Sequence, residues 1–171
     1  MTTAIIKNIL FPVDFSVSCV AMAPYVKRAA TLFGASVSLI HVFDPASYNG
    51  FELYVIRRVP EIAGEHEELA RNRLDSFLLA EFPAREHPRI LVNGDAATKI
   101  AETARDQFDL IIMPTHAGTF RKMLFGSTTA KVINDADVLI IGRGPLSSVN
   151  GGLRDLTYAI VRDSPFPVLS V

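Results

Sequence analysis

Two sets of residues in this chain could do chemistry. Gly126-Ser127-Thr128 stands where a helix should begin, and backbone N–H groups and hydroxyls at such a position bind phosphate through unpaired donors and the positive end of the helix dipole. The same tripeptide also serves as an ordinary Ser or Thr helix cap after a glycine turn. Asp14 closes the apolar run Ile5 to Val13 and offers a carboxylate either to a ligand or to the helix that follows. Elsewhere the chemistry is sparse. His41 reads as a satisfied histidine at a strand end, and His66 and His87 read as surface residues. His116 has no carboxylate or nucleophile placed beside it by any motif, which argues against a catalytic base. No His/Cys/Asp grouping has ligand spacing, so no metal is expected beyond one carried by a nucleotide. Cys19, near a helix start, reads as a buried structural thiol. Neither G-x-G-x-x-G after the first strand nor G-x-x-x-x-G-K-[ST] occurs, which disfavours a nicotinamide enzyme or a Walker-type ATPase.

The elements that must position these residues alternate regularly. Ile5 to Val13 predicts a strand, and Ser16 or Ser18 caps a helix with Val20, Ala23, Val26, Ala30 and Phe33 at helical spacing, closed by Gly34. Pro24 is expected near the first turns of that helix, where its missing N–H costs least. Val37 to Phe43 is a second strand. Glu61 to Phe82 is an amphipathic helix with Leu69, Leu74, Phe77 and Leu78 towards the core and a solvated charged face that includes a Glu67–Arg71 pair and Arg73. Arg89 to Val92, Phe108 to Met113 and Val138 to Ile141 complete five strands, with helices over Ala96 to Gln107 and from Gly126-Ser127 to Asn134. Strand and helix in alternation imply right-handed crossovers and an open, doubly wound parallel five-stranded sheet with helices on both faces. Ligands then bind outside the carboxyl ends of the strands, in the loops Pro12 to Ser18, Val42 to Tyr48, Asn93 to Asp95 and Pro114 to Ser127.

The 171 residues, 49% hydrophobic and 20% charged, suit one compact domain that buries roughly 70% of its unfolded surface. A balance of 17 basic against 18 acidic residues gives no field for nucleic acid or an anionic membrane. The lone cysteine fits a reducing compartment. The N-terminus lacks a secretory pattern and no apolar run reaches the ~20 residues of a bilayer crossing, so the expected location is cytoplasmic. Beyond residue 142, a linker over 143–152 leads to Leu153 to Asp163, read as a helix, and to a strand ending at Val171. Thr157, Ile160-Val161 and Asp163 repeat Thr129, Val132-Ile133 and Asp135 at an offset of 28 residues, so 153–171 reads as a second helix–strand unit, exchanged between subunits or left from a second domain.

Four segments in order resemble the universal stress protein family over about residues 5–141: Ile9-Leu10-Phe11-Pro12-Val13-Asp14-Phe15-Ser16, Leu39-Ile40-His41-Val42, Asn93-Gly94-Asp95-Ala96, and Asp109 to His116 with Gly126-Ser127. The resemblance implies an adenine nucleotide alpha hydrolase-like fold, a homodimer formed through the last strand and, in one branch, ATP or AMP as ligand. It places Asp14 beside base and ribose and Val42 beside the base, with Ala117, Gly126, Ser127 and Thr128 around phosphate. The phosphate loop of that branch reads G-x2-G-x9-G-[ST]. Here its first two glycines are replaced by Pro114, which has no N–H, and by Ala117, only eight residues separate Ala117 from Gly126, and the final Gly126-Ser127 is retained.

The expected function is therefore a non-enzymatic stress-response protein that binds an adenine nucleotide through a degenerate loop. One alternative is a nucleotide-independent dimeric interaction module that uses the C-terminal strands. Another is a receiver-like phosphoacceptor with Asp14, Asp95 and Thr115, weakened because Phe15-Ser16 replace the second acid and Gly142-Arg143 the lysine.

Overall fold

The computed structural model describes residues 6–44, 60–114, 139–142 and 168–170. Six strands, β1 (Asn8–Pro12), β2 (Ser36–Phe43), β3 (Arg89–Asn93), β4 (Leu110–Pro114), β5 (Leu139–Gly142) and β6 (Val168–Ser170), form one sheet in the order β3-β2-β1-β4-β5-β6. Every pairing is parallel. The chain runs outward from β1 to β2 to β3, then returns to lay β4 against the other side of β1. The order therefore reverses between β1 and β4, where an open sheet leaves a crevice at its carboxyl ends.

Side-chain alternation along the strands builds two cores. Ile9, Phe11, Val37, Leu39, Leu110 and Ile112 face helix α1 (Val17–Phe33) and the end of α2 (Pro60–Ser76). Leu10, Ile40, Ile111 and Met113 face Ala97, Ile100 and Ala104 of α3 (Ala96–Gln107). Burial on both faces explains why these strands read as nearly continuous apolar runs.

Both well-capped helices begin and end where local chemistry dictates. Ser16 Oγ accepts the Cys19 N–H at 3.3 Å to open α1, and Gly34, at φ 63°, closes it in a left-handed conformation that glycine adopts without a Cβ clash. Asp95 opens α3 by accepting the Thr98 N–H at 3.1 Å. The stripe that α1 buries is Cys19, Met22, Ala23 and Val26, whereas Val20 and Phe33, which share the helical spacing, are 48% and 40% exposed. Pro24 lies within the helix, beyond its first turn and on its exposed side.

The second helix departs most from expectation. It stops at Ser76 instead of Phe82, because Leu78 enters the left-handed region at φ 52° and the chain folds back. Phe82 is thereby driven into the core against Phe11, with ring centroids 5.9 Å apart. The fold-back is held by Arg89 at the start of β3, whose guanidinium donates to the carbonyls of Leu74, Phe77 and Phe82 at 3.2, 2.7 and 2.6 Å. His87, expected on the surface, is half-buried beside this turn, with Nδ1 3.1 Å from the Val37 carbonyl and its ring edge-on to Phe82. Leu69, expected in the core, is 64% exposed. The Glu67–Arg71 pair is replaced by other partners: Glu67 accepts from Asn93 and Arg71 donates to the Arg89 carbonyl.

At the far side of the sheet β6 pairs with β5 in the register Leu139↔Val168, Ile140↔Leu169, Ile141↔Ser170. The linker at 143–152 and the helix read over 153–163 lie outside the described residues, as does the helix read from Gly126 to Asn134.

Replacing Arg89 by Met strands three carbonyls at the end of α2. The variant is expected to lose about 2–3 kcal/mol in urea unfolding, since a buried acceptor left without a donor costs more than one hydrogen bond contributes. A loss below 0.5 kcal/mol would show that the fold-back stands without this clamp.

Candidate functional site

The carboxyl ends of β1 and β2 open into a cleft of about 370 Å³, lined by Asp14, Phe15, His41, Val42, Phe43 and Asp44 from the strand ends and by His66, Leu69, Ala70 and Arg73 from α2. Asp14 and Val42, the two expected ligand residues within the described part of the chain, meet in this one cavity. Ala117, Gly126, Ser127 and Thr128 lie outside the described residues, as do Thr115 and His116.

Asp14 follows β1 directly, and its Oδ1 accepts the Ser16 N–H at 3.0 Å and the Cys19 thiol at 3.1 Å. The helix cap itself is Ser16, so Asp14 braces the turn without being the N-cap. Between them Phe15 sits at φ 64°, a left-handed conformation that costs a bulky residue about 1 kcal/mol or more. Packing offsets that strain. The Phe15 ring lies 4.3 Å from the ring of His41 and 5.3 Å, edge-on, from that of Phe77, while the Arg73 guanidinium covers it at 4.6 Å.

His41 turns its Nδ1 to the Val13 carbonyl at 2.8 Å. A carbonyl only accepts, so Nδ1 carries the proton and the neutral ring keeps its lone pair on Nε2. Burial holds the His41 pKa below its ordinary 6.5, and Arg73 acts in the same direction, against the opposing effects of the Val13 carbonyl and Asp14. Cys19, 1% exposed, is pushed up to about 12, first by burial and also by the neighbouring Asp14 carboxylate. The thiol is a donor to Asp14 and not a nucleophile. Asp95, proposed as phosphoacceptor in the receiver-like alternative, has Oδ1 engaged by both the Thr98 N–H and the Thr98 hydroxyl, at 3.1 and 2.7 Å, as a helix cap does. Among the described residues no group of three or more His, Cys, Asp or Glu could hold a metal ion, and no helix is long and apolar enough to cross a membrane.

The contribution of α2 to this cleft is one that helical periodicity leaves ambiguous. His66, Leu69, Ala70 and Arg73 fall at i, i+3, i+4 and i+7, one face of a helix, and that spacing was the available signal. Periodicity places Leu69 in the core and Arg73 on the solvated face, since by itself it cannot tell a core from a cleft.

Strand order, crevice and the Asp14–Val42 pair together define a doubly wound α/β protein with a cleft at the carboxyl end of its sheet. The model of the universal stress protein family matches residues 6–142, and the chain belongs to that family. Universal stress protein MJ0577 of Methanocaldococcus jannaschii is 29% identical over 154 residues, which cover 80% of this chain and 95% of the relative. The solved structure of MJ0577 superposes with a TM-score of 0.67 over 83% of this chain and 99% of its own. Two more distant structures share the fold. A universal stress protein in complex with cAMP is 16% identical, with a TM-score of 0.51 over 81% of this chain and 97% of its own. One from Archaeoglobus fulgidus in complex with dAMP is 19% identical, with a TM-score of 0.50 over 81% and 98%.

Two measurements check this electrostatic picture. Iodoacetamide at pH 8 should leave Cys19 unmodified in the native protein and label it fully in urea; rapid native labelling would contradict the buried, protonated thiol. Because the folded-state pKa of His41 lies below its unfolded value, the unfolded chain takes up a proton first as pH falls. The contribution of His41 is thus complete above pH 6.5 and fades as pH drops through the folded-state value. His41→Asn, which keeps a donor to Val13 without a titrating ring, should flatten the fall in urea stability between pH 7 and 5; an unchanged slope would place the dependence elsewhere.

Proposed function

We propose that the chain is a non-enzymatic universal stress protein whose cleft binds an adenine nucleotide. The observation that carries this reading is the meeting of Asp14 and Val42 in a cavity of about 370 Å³, near the lower end of the size range of small-molecule sites. A carboxylate suits the hydroxyls of a ribose, and Val42 and Phe43 supply apolar surface for a base. The cAMP- and dAMP-bound relatives support the ligand class. The assignment as a binder fits the character of the lining: His41 is held neutral by burial and committed to a carbonyl, and the nearest thiol is protonated. Gly126, Ser127 and Thr128 complete the proposal as donors to phosphate, with the amide of Ala117. Assembly as a cytoplasmic homodimer through the C-terminal strands belongs to the same reading.

Thermal shift with ATP, ADP and AMP, with and without Mg²⁺, tests it on the wild type and on Asp14→Ala. A ligand at a hundredfold its Kd adds about 2.7 kcal/mol, worth roughly 5–10 °C in a protein of this size. The wild type should shift and Asp14→Ala should not. Absence of any shift in the wild type would favour the nucleotide-independent interaction module.

A further inference from the structure

Two described residues other than glycine stand at positive φ, Leu78 in the fold-back after α2 and Phe15 in the lining of the cleft. Leu78 belongs to the turn that Arg89 clamps. Phe15 lies between two fixed points: Val13 is tied to β2 through its N–H and its carbonyl, and Ser16 is the cap of α1. With both ends held, the backbone of Phe15 decides how the Asp14 side chain leaves the chain. At φ 64° it closes a turn in which Asp14 Oδ1 accepts the Ser16 N–H, and the same oxygen takes the Cys19 thiol. Rotation of Phe15 to an ordinary negative φ opens that turn. Glycine would hold it without strain, whereas a half-buried phenylalanine holds it because its ring is gripped by His41 of β2, Arg73 of α2 and Phe77 just beyond that helix.

Resting on the reading of the cleft as a nucleotide site, we propose that Phe15 is a positioning residue whose docked ring keeps Asp14 oriented towards the ribose hydroxyls, and that it thereby sets how strongly the cleft distinguishes a ribose from a sugar lacking them. A carboxylate oriented before the ligand arrives loses no further freedom on binding, so the strain stored at Phe15 is returned as selectivity. The ring also lines the cleft, which gives it a second conceivable role as a direct contact. The two roles separate cleanly. A direct contact changes the affinity for ribose and dideoxyribose nucleotides alike, whereas positioning of Asp14 changes their ratio.

Titration calorimetry with ATP and 2′,3′-dideoxy-ATP, both with Mg²⁺, on the wild type, Phe15→Ala and Phe15→Gly tests this, together with amide hydrogen exchange at Ser16. In the wild type ATP should bind about tenfold more tightly than its dideoxy analogue, the scale of a hydrogen bond to a charged group. Phe15→Ala keeps the strained position without the ring; it should bring that ratio below about threefold and speed exchange of the Ser16 N–H by about tenfold while the amides of β1 stay protected. Phe15→Gly, unstrained at positive φ, should retain more of the ratio than Phe15→Ala and keep the protein folded if alanine does not. A ratio that survives loss of the ring, an equal loss of affinity for both nucleotides, or unchanged exchange at Ser16 ends the proposal while the nucleotide site stands. Equal binding of the two nucleotides by the wild type removes Asp14 from the ribose and the proposal with it. A wild type that binds neither overturns both readings.

Discussion

The turn from β1 into α1 is the constraint on which the cleft depends. Within four residues, Val13 donates to the Ile40 carbonyl at 2.8 Å, its own carbonyl receives His41, Phe15 is forced to positive φ, and Asp14 takes the Ser16 amide and the Cys19 thiol. Each bond ties the end of the central strand either to its neighbour β2 or to the first turn of the helix. The side chains of Asp14 and Phe15 are therefore delivered to the crevice in one orientation, and the buried thiol and amide hold Asp14 there as part of the fold.

The opposite wall is held by a different device. Helix α2 has little apolar surface of its own; its contribution to the core comes from Leu74 and from the folded-back Phe77, Leu78 and Phe82. Arg89 gathers three carbonyls from that region, and desolvation lowers its pKa, with Asp75 opposing the change. By pinning the C-terminal end of α2 to β3, it fixes the face that carries His66, Leu69, Ala70 and Arg73 over the strand ends. Leu69 can stay 64% exposed because the helix is anchored beyond it.

The legible part of this architecture was what local chemistry determines. Ser16, Gly34 and Asp95 act as caps where their types and positions indicated, and apolar alternation located the described strands to within a few residues. Asp14 was readable as a carboxylate at a strand end, although whether it would cap or line a cleft was not. Long-range packing accounts for the rest. Val20 and Phe33 obey helical spacing yet lie outside the stripe, because the sheet meets α1 along Cys19, Met22, Ala23 and Val26. The early end of α2 depends on Arg89, which follows Phe77 by twelve positions and reaches its carbonyl only after the chain has turned. Arg73 was hidden for a similar reason: a cation on a polar helix face is read as solvated unless its aromatic partner, here on another element, is known.

The balance of charge in the cleft then follows from which groups the fold permits to ionise. Burial disfavours the cationic form of His41 and the anionic form of Cys19, so neither changes charge readily near neutral pH. What remains is a formal pattern of two carboxylates and one guanidinium around an apolar patch at Val42 and Phe43. Carboxylates accept hydrogen bonds, an apolar patch excludes water, and a guanidinium stacked on an aromatic ring keeps its in-plane donors. The buried thiol and the carbonyl-bound imidazole are thereby committed to holding the turn, and the formal charges that remain in the described lining are those of Asp14, Asp44 and Arg73.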